Sequence, residues 1–105
     1  MTKIVYDKAG YTVTIVGHAG VGKHGEDIVC AGISALTEAM LQRVRGRRKW
    51  QPAYGINREK AIVRVHLTPR SSYAAETARE MLETVCAGYR AIAGAHPEHV
   101  VFEER

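Results

Sequence analysis

No apolar run in these 105 residues approaches the roughly 18 residues of a membrane span. The opening MTKIVYDKAGY also lacks the long apolar stretch of a secretory signal. A soluble chain with a cytoplasmic location and no membrane partner is therefore expected. Cysteine is scarce. Cys30 and Cys86 fit neither a disulfide framework nor a paired CxxC metal motif, and both should be free thiols in a reducing compartment. Proline occurs three times, and neither repeats nor low-complexity segments appear. With 46% hydrophobic and 25% charged residues the composition is that of an ordinary globular domain, which excludes disorder. Residues 1–105 are read as one domain, long enough to bury about two thirds of its unfolded surface without staples.

Acidic residues are missing from one place. Between Glu38 and Glu59 lie Arg43, Arg45, Arg47, Arg48, Lys49 and Arg58 with no acid among them, while the other nine basic residues face eleven acidic ones. The net charge of +4 thus comes from one patch.

Residues 3–7 and 11–17 are β-rich runs separated by Lys8-Ala9-Gly10, a hairpin signal. From Asp27 the period changes: Val29, Ile33, Leu36, Met40 and Val44 mark one face of a helix running to about Arg45. Residues 61–67 alternate again, with Ala61, Val63, Val65 and Leu67 on one side. Residues 50–56 form a weaker partner that Pro52 restricts to an edge or a bulge. Ser71 and Ser72 can cap a second helix whose core stripe is Ala74, Ala78, Met81, Val85, Tyr89 and Ile92, with Gly94 as its stop. Residues 99–103 make a last strand. The order ββαββαβ reads as an α+β fold, two-layered, with two helices on a largely antiparallel sheet.

The chemistry concentrates in Gly17-His-Ala-Gly-Val-Gly-Lys-His-Gly-Glu-Asp-Ile-Val-Cys30, which leaves a strand, crosses a loop holding Gly17, Gly20, Gly22 and Gly25, and enters a helix. Residues 17–23 fit G-x-x-x-x-G-K, but His24 stands where a hydroxyl must ligate Mg²⁺, and Glu26 and Asp27 would repel phosphates. The G-x-G-x-x-G at 20–25 lacks the parallel βαβ unit that gives it meaning. A Cys–His site fits better. With Asp27 as cap, Cys30 falls in the first helical turn, where unpaired N–H groups and the positive dipole end stabilise a thiolate. His18, at the strand exit, can reach it across the glycine loop, activate the thiol and protonate a leaving amine. The same amides would make an oxyanion site. Ser34 lies one turn further on the same face and can support Cys30. Such chemistry calls for no cofactor and no metal. Residue patterning alone leaves other readings open: Cys30 as a small buried hydrophobe, His18 as a turn residue, or His18, His24 and Cys30 as metal ligands lacking a fourth partner. Cys86, with no histidine or glycine loop nearby, is read as structural.

Gly17-His18-Ala19, then Gly25-Glu26-Asp27-Ile28-Val29-Cys30-Ala31, then Ser34, resembles the signature of the ribosomal-processing cysteine protease (Prp) family, including the spacing of twelve from His18 to Cys30. The resemblance spans essentially the whole chain. It implies a homodimeric α+β cysteine endopeptidase of ribosome biogenesis. Its substrate would be the short N-terminal extension of large-subunit ribosomal protein twenty-seven, removed in bacteria that make that protein with one. By matching position, it implies that Cys30 is the nucleophile and His18 the acid/base, with Asp27 and Ser34 in supporting roles and the glycine loop moving on substrate binding. Val21 stands where family members often have an aromatic residue, and the arginine-rich stretch 43–49 is outside the signature.

The patch 43–50 offers a contrasting function, a non-enzymatic ribosome- or RNA-associated module with phosphates on the guanidinium groups and a base on Trp50. Cations also suit a helix C-terminus, and a charge run is usually a solvated face. Specific nucleic-acid binding is therefore not expected, whereas weak, salt-dependent attraction to acidic surfaces is.

Overall fold

The computed structural model describes residues 1–17 and 27–105. Along them run β1 (Thr2–Asp7), β2 (Thr12–Val16), α1 (Asp27–Val44), a 3₁₀ turn (Arg48–Trp50), β3 (Ala53–Asn57), β4 (Ile62–His66), α2 (Ser72–Ala95) and β5 (Val100–Glu104). The order is the ββαββαβ read from the sequence. Among the described residues the sheet is β3-β4-β2-β1-β5, antiparallel throughout except for the parallel pair β1–β5.

The register explains the two layers. Ile15 lies opposite Ile4 and Val63, and Val13 opposite Tyr6 and Val65, so the apolar set shares one sheet face. Both helices cover that face through Val29, Ile33, Met40 and Val44 of α1 and Ala74, Ala78, Leu82, Val85, Cys86 and Tyr89 of α2. The other face carries polar positions such as Lys3, Thr14 and Arg64, and Lys3 Nζ pairs with Glu103 at 3.5 Å. β3 is an edge strand with all five residues exposed, but it spans 53–57 rather than the expected 50–56: Trp50 belongs to the 3₁₀ turn, and Pro52 lies just before the strand.

The first hairpin forms as expected, with Tyr11 left-handed (φ +50°) and Gly10 N–H donating to Asp7 Oδ1 at 3.2 Å. Several local readings are corrected. α1 stops at Val44 because Gly46 takes φ +73°, the usual helix-ending conformation. Ser71 caps α2 by accepting from Ala74 N–H at 3.0 Å, as expected. Gly94, however, is helical, and α2 continues to Ala95 before His96 leaves the helix at φ −133°. The stop is Pro97, which disfavours helical geometry in the residue before it. The buried stripe of α2 is also rotated: Leu82 and Cys86 are fully buried, whereas Met81 and Ile92 are only half-buried. Trp50 is 1% exposed and donates from Nε1 to Ala74 O (3.1 Å) and Thr77 Oγ1 (3.2 Å). It pins the 3₁₀ turn onto α2 and cannot stack on a base.

Candidate active site

The first turn of α1 is Asp27-Ile28-Val29-Cys30. Val29 belongs to the stripe that faces the core, which turns the next residue to the flank of the helix. Cys30 is therefore half-buried, a free thiol at the border of the core. It is neither sealed in hydrocarbon nor fully in water. Its N-terminal position puts it beside backbone N–H groups that have no intrahelical acceptor.

Below Cys30, Ser34, Thr37, Glu38 and Leu41 continue the same flank at helical spacing, and together they form one wall of a cavity of about 390 Å³. The floor is apolar, with Ile15 from β2 and Ile33 from α1. The opposite wall is Ile56 and Asn57 of β3, Ile62 and Val63 of β4, and Arg58 and Ala61 of the turn joining them. That turn is held by Asn57 Oδ1, which accepts from Lys60 N–H at 2.9 Å, and by Ala61 at φ +53°. Thr37 is not free to move, since its hydroxyl donates to Ile33 O (2.7 Å) and shares a 2.7 Å hydrogen bond with Tyr89 OH.

Thr2 and Gly17 close the end of the cavity. Gly17 has φ +91°, and a Cβ there would lie 2.6 Å from Met1 O, so only glycine is accommodated. Its N–H donates to Ala61 O at 2.8 Å, locking the strand exit to the β3–β4 turn.

Of the residues singled out from the sequence, the structure brings Gly17, Cys30 and Ser34 onto one cavity. His18, Gly20, Gly22, Gly25 and the side chain of Asp27 lie outside the described residues; the Asp27 backbone opens α1. Cys86 is 1% exposed among core side chains, and burial pushes its thiol up to about 12. Its structural reading stands. Thr37, Glu38, Leu41 and the whole β3–β4 wall were missed. The α1 residues were within reach, because they extend the Cys30–Ser34 spacing by further turns. Among the described residues no cluster of three His, Cys, Asp or Glu is placed to hold a metal ion.

A family model described as cysteine protease Prp matches residues 1–101. The chain belongs to that family. It is a cysteine protease. Solved structures share the fold. One is an essential ribosomal processing protease Prp from S. aureus in complex with a covalently linked product peptide, at 20% identity, TM-score 0.81 and all of both chains covered. The same S. aureus protease in complex with a substrate peptide gives 21% identity and TM-score 0.76, covering 99% of this chain and 97% of that one. SMU.848 from Streptococcus mutans gives 22% identity and TM-score 0.77, covering 98% of this chain and 90% of that one. No similar sequence was found among curated proteins.

Proposed function

We propose that this Prp-family protease removes the N-terminal extension of large-subunit ribosomal protein twenty-seven, acting as a cytoplasmic homodimer with Cys30 as nucleophile and His18 as acid/base. The observation that carries the reading is Cys30 in the first turn of α1, on the wall of a cavity that also includes Gly17, the residue covalently joined to His18. A peptide substrate is supported by the S. aureus relatives, which hold a substrate peptide and a covalently linked product peptide.

The steps follow from the groups. Cys30 Sγ, as thiolate, attacks the scissile carbonyl carbon, and first-turn N–H groups stabilise the oxyanion. The imidazolium of His18 gives its proton to the departing amine as the C–N bond breaks, leaving a thioester on Cys30. Water then attacks the thioester carbon, His18 takes its proton, and the freed thiolate closes the cycle. Ser34, exposed one turn below Cys30, and Asp27, at the helix start, are supporting groups.

The test is cleavage of a synthetic peptide spanning the extension junction. Cys30→Ala and His18→Ala should each abolish turnover without lowering thermal stability, whereas Cys86→Ser should retain the cleavage. Full activity of Cys30→Ala would refute the assignment.

A further inference from the structure

The cations near α1's C-terminus divide into two groups once their surroundings are known. Arg43 stacks on Trp50 at 5.1 Å and so helps finish α1, whereas Arg47 donates only Nε, to Arg43 O at 3.3 Å, and its terminal guanidinium nitrogens make no hydrogen bond among the described residues. Lys49 Nζ also lies over the Trp50 ring, at 5.3 Å, whereas Arg48 and Arg70 make neither kind of contact. The 3₁₀ turn packs on the start of α2 through the Trp50 indole, and Arg70 N–H donates to Lys49 O at 2.9 Å. These exposed cations therefore gather at the N-terminus of a 24-residue helix, whose dipole end is itself positive. Helix stability favours carboxylates there, yet the first turn of α2 contains none. Among the described residues, no carboxylate lies within salt-bridge distance of Arg45, Arg47, Arg48, Lys49 or Arg70.

This concentration of positive charge opposes the fold locally, and it is rigidly mounted. Thr68 N–H donates to Trp50 O at 2.7 Å, and the buried indole anchors the turn from beneath. An aromatic ring completes it: Tyr73, 70% exposed, stands with Lys49 Nζ 5.6 Å from its centroid. Trp50, whose indole is buried, is thus replaced as a stacking surface by a residue the charge run does not include.

We propose that Arg47, Arg48, Lys49, Arg70 and Tyr73 form a docking surface for single-stranded RNA, with the cations on phosphates and the Tyr73 ring on a base. Three Arg side chains suit phosphate oxygens better than a lysine-rich face would, and an exposed ring among them favours RNA over an acidic polypeptide. The surface is sequence-tolerant, since nothing in it reads base edges. About 21 Å of α1 separates Val44, where the helix ends beside it, from Cys30, so docking and peptide cleavage are separable.

The test is fluorescence anisotropy of the full-length protein with a labelled single-stranded RNA of roughly 12 nucleotides. Four neutralised phosphates predict a log–log salt slope of about −3. Arg48→Gln combined with Arg70→Gln should flatten that slope by about one to one and a half. Tyr73→Ala should weaken binding on the order of tenfold with the slope unchanged, and Tyr73→Phe should restore it. All of these positions are exposed, and each variant should keep the thermal midpoint and the junction-peptide cleavage of the parent. The proposal is overturned if RNA does not bind at low salt, or if these substitutions leave binding intact. It is overturned equally if poly-glutamate of matched charge competes as well as RNA does and Tyr73→Ala changes neither.

Discussion

The two cysteines give the sharpest test of how environment divides the roles of like groups. Cys86 is buried between α2 and the sheet, and loss of solvent pushes its thiol from the ordinary range near 9 up to about 12, against the opposing pull of Arg90. At pH 8 an ordinary thiol is about one-tenth ionised, whereas Cys86 is ionised in about one molecule in ten thousand. Alkylation goes through the thiolate, so ionisation alone slows Cys86 about a thousandfold, and burial slows it further. Cys30 on the cavity wall needs no opening of the core to react. Iodoacetamide treatment of native protein at pH 8, followed by peptide mapping, should label Cys30 at least about a thousandfold faster than Cys86. In denaturant the two rates should converge. Native-state labelling of Cys86 within tenfold of Cys30 would refute the reasoning. The same shift makes stability fall in base. Between about pH 9 and 12 the unfolded thiol has lost its proton and the folded one has not, so each pH unit costs on the order of 1 kcal/mol. Tyr6 and Tyr89, with hydroxyls raised by burial to about 12, add to the decline above about pH 10. Urea midpoints should drop from pH 9 to 10 in the parent and clearly less in Cys86→Val, where only the two tyrosines contribute.

Three further outcomes follow from described contacts. Trp50→Ala removes a fully buried indole and two hydrogen bonds from the seat of the 3₁₀ turn; chemical denaturation should show a loss of about 3–5 kcal/mol. Gly17→Ala sets a methyl against Met1 O at a φ of +91°, so cleavage should fall steeply and the thermal midpoint with it, whereas Gly46→Ala, at φ +73° with no atom within 4 Å, should lower the midpoint through backbone strain alone and leave cleavage intact. Ile56→Glu, at a residue 53% exposed on the cavity rim, should leave stability within about 0.5 kcal/mol while raising KM for a peptide with an apolar residue at the cleavage junction.

The parts legible in the sequence were those with short-range causes. Alternation in 11–17 and 61–67, the 3–4 spacing from Val29 to Val44, and the Ser71 cap all report on neighbours a few residues away, and each element formed where its pattern stood. Errors arose where a distant partner decides. Met81 and Leu82 differ by one helical step, and only the direction in which the sheet lies makes Leu82 the buried one. Trp50 follows three basic residues and reads as solvated, but its ring is buried by α2, whose first turn begins more than twenty residues later. The site divides in the same way. Cys30 and Ser34 share a face by helical geometry, whereas the wall of Ile56, Asn57 and Arg58 exists only because β4 pairs with β2.

The pairing of β5 with β1 has a consequence for biosynthesis. β1 is synthesised about ninety residues before its parallel partner, so one of its edges stays bare until residues 100–104 have followed, and Thr2 N–H waits for His99 O. Contacts that far apart in the chain slow folding. Thr2 also forms the end wall of the cavity, so a nascent chain halted before β5 would present an unfinished sheet edge and a pocket open at one end.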